Sequence, residues 1–203
     1  MAKKSRRTTG PIKTSLNLGL VVFDGDRDMR AALLADPDFA EVAKEYAERP
    51  TQISVRRDLL LTSVRLTPRI APALFACVDE CTRHLGIEND IEVYCSQEAE
   101  MNAFVVPPEK GRICIGFSNT ALERFSDDEL RFILGHELGH ALFEHHVLGY
   151  DIVENEERIS PLQVMQFYSW NATPSCRVIS GAIVLPRFQD CGAHVFQAHE
   201  WAV

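Results

Sequence analysis

The stretch whose reading decides the fold is Ser126-Asp127-Asp128-Glu129 and the run it leads into, Gly135-His136-Glu137-Leu138-Gly139-His140-Ala141. Ser126 and Glu129 stand at the spacing of a capping box, in which a hydroxyl accepts the N3 backbone N–H and the N3 carboxylate accepts the cap's own. Leu130, Phe132, Ile133, Leu134, Leu138, Ala141, Leu142 and Phe143 follow, so a strong helix is predicted from this point through the motif to about His145 or His146. On a helix, residues four apart share a face about 6 Å apart along the axis. His136 and His140 can therefore offer nitrogens to one metal ion. Glu137 is displaced by about 100° around the axis and can lie beside the ion without taking a coordination position. That is where a general base stands to deprotonate a metal-bound water. Zinc is the expected ion, because it accepts imidazole tetrahedrally and lowers the pKa of bound water to about 7. Gly135, Gly139 and Ala141 leave room for close packing by another element, which argues against a chance spacing on an amphipathic helix.

Upstream of this helix the chain reads as scaffold. Gly19 to Phe23 forms a short apolar run, and Asp24-Gly25-Asp26-Arg27-Asp28 has the look of a calcium loop. Position six would then be Met29 and position twelve Ala35, where glycine and glutamate are needed, so the run reads as a turn. Phe39, Val42, Ala43 and Tyr46 recur at helical spacing over about Asp38 to Glu48, ahead of Pro50. A second helix is expected with Thr67 as N-cap and Pro68 at N1. Ile70, Leu74, Cys77, Val78, Cys81 and Leu85 would form its apolar face and Gly86 its close. Strand candidates Ile91 to Cys95, Ala103 to Val106 and Arg112 to Gly116 come next, the last two joined by a turn at Pro107-Pro108-Glu109-Lys110-Gly111. The sum is an α+β, helix-rich domain with a small sheet beside the motif helix.

Composition narrows the class. A chain of 203 residues that is 46% hydrophobic and 25% charged can bury one ordinary core. Its net charge of -8 gives no reason to expect nucleic acid, and the basic cluster Lys3-Lys4-Ser5-Arg6-Arg7 reads as a solvated tail. Residues 1–14 are assigned to a disordered tail, 15–170 to the catalytic-type domain and 171–203 to an atypical C-terminal segment. The apolar runs Leu16 to Phe23 and Ile179 to Leu185 fall well below the roughly 20 residues of a membrane span. With no signal-type segment behind the basic start, a soluble, cytoplasmic protein is expected. None of Cys77, Cys81, Cys95, Cys114, Cys176 and Cys191 makes a Cys-x-x-Cys pair, so reduced thiols are expected.

Met101-Asn102-Ala103-Phe104, Arg112-Ile113-Cys114-Ile115-Gly116, and Asp127-Asp128-Glu129-Leu130 leading into the histidine motif resemble the HtpX and CAAX prenyl protease type of zinc metallopeptidase, which are gluzincins. The likeness covers about Val93 to Tyr150, and the order of these segments is more specific than the histidine motif alone. It implies a zinc endopeptidase acting on peptides or proteins, with His136 and His140 as zinc ligands and Glu137 as catalytic base. It also suggests that Ala103 to Val106 borders the cleft and pairs with an extended substrate; a buried hairpin strand without a substrate role is the alternative.

The same resemblance exposes a break. A gluzincin draws a third ligand from a later glutamate, usually in Glu-x-x-x-Asp, and nothing after His140 supplies it. Asn171 to Ser180 lacks the acid pair, and Pro174 opposes a helix. Glu154, Glu156 and Glu157 read as a solvated loop. His146 stands at the third-ligand spacing of another zinc protease pattern, but Phe143 occupies the position of that pattern's turning glycine, which leaves His145 and His146 as surface or helix-dipole partners. A one-nucleotide slip of the reading frame near residue 171 would account for the break, since codons possible for Asn171 to Ile179 can be read off-frame as Arg-Tyr-Ala-Glu-Leu-Ser-Cys-Asp. Cys176, Cys191, His194, His199 and Glu200 would then carry no functional weight. A catalytically dead protein that only binds peptides or partners is the rival reading.

Overall fold

The computed structural model describes residues 12–48, 55–109, 111–145, 158–163 and 165. In chain order its elements are α1 (Leu18–Val21), α2 (Asp24–Ala35), α3 (Pro37–Glu48), α4 (Val55–Thr62), β1 (Val64–Leu66), α5 (Pro72–His84), β2 (Asp90–Ser96), β3 (Ala103–Glu109), β4 (Arg112–Ser118), α6 (Asn119–Arg124) and α7 (Asp127–Leu142). This is the expected α+β arrangement. The four strands form one mixed sheet in the order β1-β2-β4-β3. β2 and β4 run parallel and the other two pairs antiparallel. The chain leaves β2 through residues 97–102 and passes over the slot that β4 later fills. β3 therefore ends up at an edge.

Period-two alternation sorts the strand residues between two faces. Val93, Ile113, Ile115 and Phe117 meet Leu74, Cys77, Val78 and Cys81 of α5 and Leu130, Leu134, Leu138 and Ala141 of α7 in the main core. Tyr94, Val106 and Cys114 point the other way and pack with Leu59 of α4. Covered on both sides, β4 is buried along nearly its whole length, as a central parallel strand should be. α7 is seated by more than apolar contact. The thiols of Cys77 and Cys81 donate to the carbonyls of Asp127 and Arg131, and Arg131 Nε donates to Glu80 at 2.8 Å.

A charged cluster closes the α4 side. Glu92, 4% exposed in its side chain, accepts from Arg56 Nε and Nη2 and from the Tyr94 hydroxyl at 2.7 Å, with Arg65 Nη2 at 3.2 Å. The Arg56 hydrogen bonds, opposed by burial and aided by Tyr94 and Arg65, hold its carboxyl down at about 2. Arg56 thereby pins α4 to the sheet.

Several sequence expectations need correction. The second helix begins at Pro72 with Ala71 as N-cap, four residues later than the Thr67-Pro68 reading, and Ile70 is exposed. A residue before proline is disfavoured in helical geometry, and Ala71 stands at φ -132, ψ 66, so the helix cannot run back through it. Leu74, Cys77, Val78, Cys81 and Leu85 do form the buried face, and Gly86 closes it at φ 60. The expected turn at 107–111 is shorter. β3 continues to Glu109 across an irregularity after Val106, and Gly111 takes the left-handed conformation at φ 77. The Asp24 to Asp28 run is the first turn of α2 rather than a loop, its acids lying at the positive end of the helix dipole. α3 lies where its periodicity places it, with Phe39, Val42 and Ala43 buried. No described helix is long and apolar enough to cross a membrane. The basic tail through Arg7, His146, Glu154, Glu156, Glu157, Cys176, Cys191, His194, His199, Glu200 and the 171–203 segment lie outside the described residues.

Candidate active site

α7 starts as its sequence dictates. The Ser126 hydroxyl accepts from the Glu129 N–H, and the Glu129 carboxylate accepts from the Ser126 N–H at 2.8 Å, completing the capping box. From this anchored start the helix carries Leu130, Leu134, Leu138 and Ala141 into the core, which fixes its rotation about its axis. His136 and His140 share one face. Their Nε2 atoms stand 3.0 Å apart, with ring centroids at 4.6 Å and planes at 86°.

That convergence suits a metal pair. Zinc–nitrogen bonds of about 2.0–2.1 Å at a tetrahedral angle put neighbouring ligand nitrogens roughly 3.3 Å apart, close to the separation seen. Imidazole is also the donor type zinc favours. Among the described residues, no group of three His, Cys, Asp or Glu side chains comes together that could hold an ion. Among the described residues, His136 and His140 offer two imidazole nitrogens at a separation that one ion could share.

Glu137 is buried between α7 and the sheet, 9% exposed, and its carboxyl accepts a hydrogen bond from the backbone N–H of Val105 on β3. Burial pushes the carboxyl up to about 8, against the lowering effect of that N–H. The proton of Glu137 thus moves near neutral pH, the range a general acid or base needs. A divalent cation beside it would draw the value back down. The Val105 contact is a main-chain one that side-chain spacing could not have signalled.

Two expectations about the end of α7 are overturned. The helix stops at Leu142, short of the His145 or His146 expected, and His145 is buried at 3% exposure instead of lying on the surface. Phe143 N–H still donates to Gly139 C=O at 2.9 Å, but Glu144 then adopts φ 56, the left-handed position that ends many helices and usually falls to glycine. The chain folds back there. His145 Nδ1 comes to 2.8 Å from His140 Nδ1, and its ring stacks on Phe143 at a centroid distance of 5.8 Å. Because glutamate marks the turn where glycine usually would, the sequence carried no local signal for it.

The sequence profile of peptidase family M48 matches residues 68–174, more than half of the chain and the whole of the site just described. The chain belongs to peptidase family M48. Among curated proteins, this M48 chain is 40% identical over 67 residues to Protease HtpX of Ectopseudomonas mendocina, covering 33% of the chain and 23% of that relative. It is 37% identical over 68 residues to Protease HtpX of Pseudomonas paraeruginosa, again 33% of the chain and 23% of the relative. The Protease HtpX of Pseudomonas putida gives 37% over 68 residues, with 22% of that protein covered. The chain thus spans under a quarter of the length of these relatives. No solved structure matches it.

Proposed function

We propose that this M48 chain is a zinc-dependent endopeptidase in which His136 and His140 hold the metal and Glu137 is the general base. The observation that carries the reading is the pair of Nε2 atoms 3.0 Å apart on a helix whose intervening glutamate is buried against an edge strand. When bound, zinc supplies Lewis acidity for a peptide carbonyl and an acidified water. With zinc bound, Glu137 would take the proton of that water and return it to the departing amine, a role that its placement next to His136 on α7 suits.

The substrate is an extended peptide or protein segment laid along β3. Val105 turns its N–H away from β4 toward Glu137, and antiparallel alternation turns the main-chain groups of Ala103 the same way. A peptide backbone would pair with the main-chain groups of Ala103 and the carbonyl of Val105, the Val105 N–H being engaged by Glu137. Recognition of this kind needs main-chain hydrogen bonds rather than a particular side chain.

In this reading the third ligand is the glutamate that a slip of the reading frame near residue 171 would restore, since nothing after His140 in the written sequence supplies it. A frame slip near residue 171 stays part of the proposal, and the M48 match running out at residue 174 fits it. Resequencing the gene across that point tests it, and an unambiguous in-frame read removes it. The decisive experiment on the whole reading is metal analysis of the purified chain alongside casein cleavage. Near-stoichiometric zinc with cleavage that a chelator stops supports the peptidase. A folded protein that takes up no zinc and cleaves nothing supports the peptide-binding rival.

A further inference from the structure

The turn after α7 holds a third histidine that the peptidase reading does not use. Had the helix continued, His145 would lie five residues beyond His140, rotated by about 140° and displaced by about 7.5 Å along the axis, with no approach to that ring. The left-handed conformation at Glu144 instead sends the chain back, buries His145 and brings the two Nδ1 atoms to 2.8 Å. Stacking on Phe143 at 29° between planes fixes the ring of His145 in turn.

We infer that His145 is a positioning residue that sets the tautomer and ring plane of His140. The inference rests on the zinc-peptidase reading and adds to it. The two nitrogens of an imidazole point to opposite sides of the ring, and in His140 Nε2 faces His136 while Nδ1 faces His145. A metal held by both Nε2 lone pairs requires the proton of His140 to sit on Nδ1. That N–H then donates to His145 Nδ1, whose own proton is on Nε2. An acceptor held at this point selects the ligating tautomer and stops the ring from turning about its Cβ–Cγ bond. The same geometry excludes His145 as a ligand of that ion through Nδ1, since this nitrogen lies against the far side of His140.

The test compares the full chain with His145→Phe, which keeps a ring against Phe143 and removes the acceptor, and with His145→Asn, whose Oδ1 stands where Nδ1 stood. Zinc affinity is measured by competition with a chelating dye. Imidazole 15N–1H NMR of the zinc-loaded protein follows the His140 Nδ1–H. His145→Phe should weaken zinc by roughly 10- to 100-fold and lose the exchange-protected His140 resonance, and His145→Asn should restore both to within a few-fold of the wild type. Should His145→Phe not fold, His145→Gln replaces it, because its carbonyl reaches the Nε2 position and not that of Nδ1. Equal zinc affinity in the Asn variant and in Phe or Gln, with the His140 signal unchanged, overturns the inference and leaves the peptidase reading standing. A wild-type chain that takes up no zinc overturns both.

Discussion

Among the described residues two glutamates are buried, one on each side of the sheet, and their carboxyls are driven in opposite directions. Glu92 on β2 meets three arginines, Arg56, Arg65 and Arg112, and a tyrosine and is held at about 2, whereas Glu137 on α7 meets a backbone N–H and is pushed to about 8. Both side chains have lost most of their water, so desolvation opposes the charged form in each case. What separates them is the partner set. Guanidinium groups outweigh the cost of burial and make Glu92 a permanent anion that ties α4 to the sheet. A single peptide dipole does not, and Glu137 stays protonatable.

The largest test of this contrast is Glu137→Gln. It keeps the shape and the hydrogen bond from Val105 but removes the base, so chelator-sensitive casein cleavage should fall by roughly 10²- to 10⁴-fold while zinc content is unchanged. Equal loss after Glu92→Gln would show that the two sites are not separate in role. The metal-free protein gives the next test. The folded pKa of Glu137 lies above its unfolded value of 4.5, so the stability associated with its neutral form is complete below pH 4.5 and is lost as pH rises through about 8. Above that pH, Glu137→Gln should stabilise the metal-free chain by on the order of 4 kcal/mol, read from urea midpoints.

Glu92 should show the reverse limb. Its folded pKa is depressed, so its contribution is complete above pH 4.5 and disappears as pH falls through about 2. Glu92→Gln should cost about 3 kcal/mol at pH 7 and flatten the acid limb of the stability curve, since it leaves Arg56 and Arg65 without their anion. An acid limb of wild-type steepness in this variant would refute the ionised state assigned to Glu92. The smallest effect is expected at Glu144. Its left-handed conformation costs a non-glycine residue, so Glu144→Gly should raise the thermal midpoint by the equivalent of less than about 1 kcal/mol without loss of zinc. A destabilised Glu144→Gly would mean that the glutamate side chain itself supports the turn.

The geometry of the candidate site was partly legible in the sequence. The capping box of Ser126 and Glu129 and the 3.6-residue period fixed where α7 starts and which residues share a face, and both are local properties of a helix. His136, Glu137 and His140 followed from that geometry. The end of α7 did not follow, because the residue that turns the chain is Glu144, and glutamate is an ordinary helix former. The start of α5 was misplaced for a related reason. Thr67-Pro68 and Ala71-Pro72 are both acceptable helix entries, and the choice between them depends on the backbone geometry before each proline.

The sequence alone determined the motif helix, the shared face of its two histidines and the α+β class, because periodicity and capping act over four or five residues. Tertiary structure decided that β3 lies at the edge with Val105 facing Glu137, that three cationic side chains gather near Glu92, and that His145 returns to His140. These depend on which strands pair, which water is excluded and where a backbone bends. None of those quantities is carried by the spacing of residues along the chain.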